Sequence, residues 1–114
     1  MLKSQHRIRK DREYKKIFRF SKSQRSGNLE IKYFKNNSDI TRFGFVISNK
    51  VEKKATRRNS LKRKLRAMAK EVINNLKAGF DVIVIVKSNY AHPYSYDQIK
   101  DDFIQGLEKS GMLL

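Results

Sequence analysis

Cysteine is absent from this 114-residue chain, proline occurs once, histidine twice, and acidic residues only eleven times. Without cysteine there is neither a disulfide framework nor a thiolate metal site. The longest apolar run, residues 82–86, is far too short to span a bilayer. Residues 1–7 contain no apolar segment typical of a signal peptide, so we expect a cytoplasmic protein.

The scarcity of acids leaves a large positive charge. The 27 Lys and Arg against 11 Asp and Glu give a net charge of +16 at pH 7. Self-repulsion of this size destabilises a compact domain unless a polyanion neutralises it. Nucleic acid is the favoured partner, and an anionic membrane surface is the weaker alternative because no long apolar run is present. Basic residues concentrate in residues 3–25 and 50–70, whereas residues 81–114 are acidic and should face away from the polyanion.

The segment that follows residue 54 combines basic residues with helical periodicity. A buried stripe is predicted at Leu61, Leu65, Met68, Val72 and Leu76. The opposite side of this helix carries Asn59, Arg63, Arg66 and Lys70. Guanidinium groups match phosphate oxygens two at a time, and an amide can bond a base edge or a 2′-hydroxyl. A solvated helix face is the plain alternative, but Glu52 is the only acid among ten basic residues between positions 50 and 70.

The remaining pattern predicts a single small α+β domain over residues 1–114, an α-β sandwich with the order αββ(β)αβα. Residues 1–9 are predicted to be a basic, mobile arm, residues 21–28 a loop, and the optional strand is expected near Lys50. Asp11 is a candidate helix cap. The predicted elements are a helix at Asp11–Phe20, a hairpin of strands Leu29–Lys35 and Arg42–Ser48, a basic helix at Ala55–Ala78 ended by Gly79, a doubly covered strand at Asp81–Lys87, and a helix opened by Ser95.

Catalytic groups are not evident. His6 and His92 have no carboxylate or second histidine at ligand spacing. Asp97 and Asp101 share a helix face, which fits either a metal site or, as the better interpretation, a solvated face. No glycine-rich phosphate loop is present. We therefore expect no catalytic residue and no metal site in this chain.

Tyr14 and Phe18 form an aromatic edge flanked by Lys15 and Arg19. Such a pair is often part of a core, but aromatic faces beside cations also hold single-stranded RNA by stacking. The sequence leaves both interpretations open. Tyr33, Phe34 and Phe45 carry the same ambiguity, with a core position favoured for Phe45.

The basic segment resembles the signature of the bacterial ribonuclease P protein subunit, with Ala55, Arg58, Asn59, Leu61, Lys62, Arg63, Leu65 and Arg66 in the expected places. Residues 42–50 look like the second strand of that family and the lysine beyond it, and residues 8–18 resemble its first helix. The likeness extends over nearly the whole chain. Ser60 departs from it, because the family has arginine there.

The resemblance implies a left-handed β-α-β crossover, an RNA subunit that performs the hydrolysis with Mg²⁺, and precursor tRNA as substrate. It implies that the catalytic RNA is bound by Lys50, Arg57, Arg58, Asn59, Lys62, Arg63, Arg66 and Lys70. It implies a cleft for the 5′ leader of precursor tRNA, formed by Tyr14, Phe18 and Tyr33 or Phe34. Two rival classes remain: a general RNA-binding protein of ribosomal type with no role in cleavage, and a stand-alone nuclease, which would need histidine or carboxylate pairs.

Overall fold

The computed structural model describes residues 2–114, and Met1, the first residue of the predicted arm, lies outside them. A four-stranded sheet carries one helix on one face and two on the other. The elements are α1 (Asp11–Phe20), β1 (Lys22–Ser26), β2 (Leu29–Lys35), β3 (Arg42–Val46), α2 (Ala55–Val72), β4 (Phe80–Val86) and α3 (Tyr96–Lys109). The predicted α+β class is confirmed. Within residues 2–114, no helix is both long enough and apolar enough to cross a membrane.

The strand order is β1-β2-β4-β3, with β4 antiparallel to β2 and parallel to β3. The predicted hairpin of β2 with β3 is therefore wrong. The reason lies in β4, where Val82, Ile83 and Val84 are all buried. A strand that is apolar on both faces belongs in the middle of a covered sheet, so β4 separates the two alternating strands. The α2 helix connects the parallel pair, and the left-handed sense of this connection stays a prediction.

The additional strand is β1, in the segment predicted as a loop, and the expected strand near Lys50 is not formed. β1 contains only polar residues and pairs antiparallel with β2, from Lys22 opposite Tyr33 to Ser26 opposite Leu29. Gly27, with a φ of 56°, makes the connection. A polar edge strand buries no apolar face, so it gives no alternating signal in the sequence.

Two cores form on the two faces of the sheet. The larger core lies under α2 and α3, and among its fully buried members are Leu61, Leu65, Phe43 and Phe103. The smaller core lies under α1 and consists of Ile8, Ile17 and Ile83, with half-buried Tyr14, Phe34, Val46 and Ile85 packed around them. The α1 helix therefore lies alone on its face, and part of the sheet surface beside it stays accessible.

The α2 helix ends at Val72, six residues earlier than predicted, and continues as a 3₁₀ turn at Ile73–Asn75. Leu76 is buried and pairs with Leu113 near the C-terminus, and this pairing requires extended backbone. Gly79 does not end the helix. It has a φ of 84° in the turn before β4, where a Cβ would lie 2.5 Å from the carbonyl oxygen of Ser38.

The N-terminal segment is packed against the domain, which corrects the prediction of a mobile arm. Leu2 is buried in the larger core and Ile8 in the smaller one. Arg7 pairs with Phe43, and the amide of Ile8 donates to the Phe43 carbonyl at 2.8 Å. β3 is an edge strand with unpaired backbone groups, and this segment pairs with some of them.

The predicted bounds of α1 are confirmed, but its predicted cap is not. Glu13, and not Asp11, accepts a hydrogen bond from the Lys10 amide at the start of the helix, at 3.3 Å.

Candidate nucleic-acid interface

The two faces of α2 lie as predicted. Leu61, Leu65, Met68 and Val72 are buried against the sheet and α3. Asn59, Arg63 and Lys70 are exposed, and Arg66 is half-buried at the border of the two faces. Because the apolar stripe anchors the helix, its basic side is held at the protein surface in a fixed orientation.

Within residues 2–114, the positive charges of α2 are not neutralised by ion pairs. Among residues 2–114 the ion pairs are Arg42 with Glu13, Arg42 with Asp81, and Lys100 with Glu71. Glu71 is the only acid on α2, and it also accepts from the Tyr96 hydroxyl at 2.6 Å. These bonds, with the one from Lys100 foremost, lower the pKa of Glu71 below its usual value. The basic residues of α2 therefore make no ion pair within the described chain.

Glu52, the acid in the loop before α2, is directed inward. Its carboxylate accepts from the Asn89 side chain at 2.6 Å and from the Lys54 amide at 3.2 Å. The bond from Asn89 is the main cause of the lowered pKa of Glu52. Glu52 thus joins the loop before α2 to the loop after β4, and its charge is taken up by structural hydrogen bonds.

Not every predicted RNA-binding residue is equally free. Arg58 donates through Nη1 to the Glu52 and Lys53 carbonyls at 2.8 and 3.0 Å, so part of its guanidinium holds the segment before α2. Ser60, at the family's arginine position, accepts from Lys64 Nζ at 3.2 Å. Among the basic and amide side chains of α2, those that make no hydrogen bond within residues 2–114 are Arg57, Asn59, Lys62, Arg63, Arg66 and Lys70, all of them exposed or half-buried; Lys50 is exposed in the preceding loop.

On the other face of the sheet, aromatic and apolar side chains of α1 and the strands stay partly exposed beside the helix. Phe18 is 41% exposed, and Lys32 Nζ lies 5.9 Å from the centre of its ring. Tyr14 is half-buried and lies directly over Gly44, where a Cβ would come within 2.5 Å of the tyrosine hydroxyl oxygen. Phe18 is thus a surface residue, and Tyr14 is partly core and partly cleft wall.

The floor of this cleft was not predicted. The register aligns Glu30, Ile85 and Val46 in one row across the sheet, on the same face as α1. Ile85 and Val46 are only half-buried. We call the surface formed by Tyr14, Phe18, Lys32, Val46 and Ile85 the α1 cleft. It offers an apolar floor, an exposed ring and a cation.

Tyr33 and Phe34 lie on opposite faces of β2. Tyr33 packs against the larger core, away from α1, so its predicted place in the cleft is wrong. Strand alternation is the physical reason, since neighbouring residues point to opposite faces. Phe34 is on the α1 side but at the other edge of the helix, where Lys16 Nζ lies 5.7 Å from its ring centre. There it borders a second cavity, of about 490 Å³, together with Arg12 and Arg42.

Arg42 fixes the position of α1 over the sheet. Its guanidinium donates to Asp81 at 2.9 and 2.7 Å and to Glu13 of α1 at 2.7 Å. These bonds, first those to Asp81, raise the pKa of Arg42 above its usual value. Burial is the largest single influence and acts to raise the pKa of Glu13, but the hydrogen bonds from Arg42 and from the Lys10 amide, together with the charge of Arg42, outweigh it, and the pKa is lowered. The bridge joins α1 to β3 and β4 and so sets the position of the α1 cleft wall.

The other candidate groups serve local structure. His6 Nδ1 lies 2.8 Å from the Thr41 carbonyl oxygen. His92 packs edge-on against Tyr94. Asp97 and Asp101 are exposed, and within residues 2–114 no three His, Asp or Glu side chains are grouped to hold a metal ion.

The fold and these surfaces define a class: a small, basic α+β protein whose cationic helix face is suited to a polyanion. The family model described as Ribonuclease P matches residues 2–111. The ribonuclease P protein component of Pseudanabaena sp. (strain PCC 6903) is 34% identical over 114 residues, covering 99% of this chain and 97% of that protein. The chain therefore belongs to the ribonuclease P protein family, the protein component of a tRNA-processing ribonucleoprotein endonuclease.

Solved structures agree with this assignment. A Staphylococcus aureus RNase P protein, a mutant with defective mRNA degradation activity, gives a TM-score of 0.85 at 25% identity, covering 95% of this chain and 90% of that one. The RNase P protein from Thermotoga maritima gives a TM-score of 0.77 at 27% identity, covering 90% and 96% of the two chains.

Proposed function

We propose that this protein binds the catalytic RNA of ribonuclease P through the basic face of α2 and the 5′ leader of precursor tRNA through the α1 cleft. In this way it assists removal of the leader to give the mature 5′ end of tRNA, in the cytoplasm. The observation that carries the proposal is the row of cations on α2 that make no ion pair within residues 2–114. Phosphates of a structured RNA are suited to supply the missing counter-charge.

The α1 cleft supports the second part of the proposal. A single-stranded leader has unstacked bases, and bases stack on exposed aromatic rings with little regard to sequence. Phe18 offers such a ring, with Lys32 beside it to neutralise a phosphate. A protein that contacts folded RNA alone has no need for an exposed aromatic ring in a cleft.

The chemical step is assigned to the RNA subunit, with Mg²⁺ held by that RNA. The chain's own contribution is to position the substrate and to reduce charge repulsion between two polyanions. Neutralising phosphate charge on both RNAs favours their close approach. This effect is expected to be largest when Mg²⁺ is scarce.

The test combines the purified chain with a bacterial ribonuclease P RNA and a precursor tRNA at limiting Mg²⁺. The protein should accelerate cleavage at the mature 5′ end and tighten binding of the precursor more than binding of mature tRNA. Acceleration should be lost when the RNA is omitted. A chain that binds RNA equally well but leaves cleavage unchanged would be a general RNA-binding protein, and cleavage without the RNA subunit would make it a nuclease in its own right.

A further inference from the structure

A small cavity lies where the N-terminal segment, α1, β3 and α2 meet. Its volume is about 140 Å³, and its walls include Arg7, Tyr14, Lys62 and Arg66. These residues come from three separate parts of the chain, so the fold alone brings them together. We call this cavity the Arg7 niche. It lies between the basic face of α2 and Tyr14, a wall of the α1 cleft.

The niche concentrates positive charge without compensation. Arg7, Lys62 and Arg66 are each half-buried, and among residues 2–114 no carboxylate lines the cavity. Within the described chain none of the three forms an ion pair. Like charges that line one small cavity, partly shielded from water, repel each other more strongly than charges in bulk solvent. An anion in the cavity would remove this repulsion.

The walls are held in place by contacts that leave the charged ends available. Arg7 donates through Nε to the Leu2 carbonyl at 3.1 Å, which orients its guanidinium and leaves both terminal nitrogens for a ligand. The Tyr14 hydroxyl donates to the Ile8 carbonyl at 3.3 Å, and Gly44 provides the space for the ring. Two walls of the niche, Arg7 and Tyr14, are therefore fixed by contacts within the fold, and Lys62 and Arg66 lie on the anchored helix α2.

We propose that the Arg7 niche binds one phosphodiester group of RNA, held jointly by Arg7, Lys62 and Arg66. The proposal rests on the proposed function and extends it, since it joins the N-terminal segment to both RNA-binding surfaces. A phosphate oxygen pair fits a guanidinium fork, and two arginines with a lysine can satisfy one phosphate from three sides. The phosphate can belong to the catalytic RNA or to the precursor leader, because the niche borders both surfaces.

The test is a double-mutant cycle of Arg7→Gln and Arg66→Gln. If both arginines bind the same phosphate, each single variant should weaken RNA binding roughly tenfold or more. The fold loss of RNA affinity in the double variant should then be at least about threefold smaller than the product of the losses in the two single variants. Arg9→Gln is the matched control, because Arg9 lies in the same segment and is exposed, but its side chain donates to Ser4 outside the niche. When Arg9→Gln is combined with Arg66→Gln, the loss of RNA affinity should equal the product of the two single losses within about twofold.

Three binding measurements separate the sources of the phosphate. The free protein is titrated with a short single-stranded RNA and with ribonuclease P RNA. The assembled enzyme is titrated with leader-bearing precursor and, for comparison, with mature tRNA. Coupling with ribonuclease P RNA supports the niche and assigns the phosphate to that RNA, and coupling confined to the precursor assigns it to the leader. Coupling with the short RNA alone supports the niche even if the chain fails to assist cleavage. Multiplicative effects with all three probes overturn the proposal. Melting temperatures, and Arg7→Lys as a charge-preserving variant, exclude loss of fold as the cause.

Discussion

Truncation of Phe18 tests the α1 cleft. Phe18 is 41% exposed, so about three fifths of its surface is buried against the domain. Full burial of such a side chain contributes about 1.5–3 kcal/mol, so Phe18→Ala should lower the free energy of unfolding by about 1–2 kcal/mol. Loss of one stacked base should cost a further 1–3 kcal/mol, roughly, in binding of a single-stranded leader. The affinity for leader-bearing precursor should thus fall several-fold to about a hundredfold, while affinity for mature tRNA barely changes.

The assay measures dissociation constants of the assembled enzyme for precursor and mature tRNA, beside thermal melts of the free protein. Phe20→Ala is the matched control, because Phe20 is 59% exposed at the end of the same helix but lies outside the α1 cleft. It should leave the ratio of the two affinities unchanged. An equal loss on both substrates, or the same selective loss in Phe20→Ala, would refute the assignment of Phe18 to the leader.

Three further predictions concern the faces of α2, the packing of α1 and the response to acid. Arg63→Ala should weaken RNA binding at an unchanged melting temperature, whereas Leu65→Ala should cost about 2–5 kcal/mol of stability; RNA titrations and melts of both variants would expose a wrong assignment of faces if the results were exchanged. Gly44→Ala should displace Tyr14 and destabilise the fold by about 1–3 kcal/mol, and a neutral melt would contradict the close approach. The pKa of Glu13 is lowered from 4.5 in the fold, so its stabilisation is present above pH 4.5 and is lost as the pH falls through the folded value. The stability of Glu13→Gln should accordingly depend less on pH below 4.5, measured by denaturant unfolding, and equal acid sensitivity of both proteins would speak against the bridge.

The parts of the fold that could be predicted were those in which apolar residues recur in a regular pattern or form a continuous run. The stripe from Leu61 to Val72 gave the orientation of α2, and the continuous run in β4 indicated a strand covered on both faces. β1 has no apolar residue, so nothing in its composition separates an edge strand from a loop. The hairpin error has a different origin: β2 and β3 both alternate and are neighbours in sequence, but only the fold shows that β4 lies between them.

The exposed cationic face of α2 was predictable because its residues lie on one helix, where spacing determines the face, and its binding of RNA stays a prediction. The α1 cleft was predicted only in part, since Phe18 needs the fold to distinguish surface from core. Val46 and Ile85 become neighbours only through the strand register, and no local pattern marks them as a cleft floor. The Arg42 bridge likewise joins residues 29 and 39 positions apart in the chain, which sequence spacing cannot show.

The salt dependence of binding to ribonuclease P RNA tests most directly whether the basic face of α2 is the RNA interface. The logarithm of the affinity should fall steeply and linearly with the logarithm of the salt concentration, by roughly 0.7–0.9 per phosphate neutralised. Arg63→Gln with Lys70→Gln should reduce this slope by about one to two, whereas Lys87→Gln with Lys109→Gln, which removes the same charge from the acidic end, should leave it unchanged. A wild-type slope near zero, or an equal reduction in both double variants, would contradict the assignment of the interface to α2.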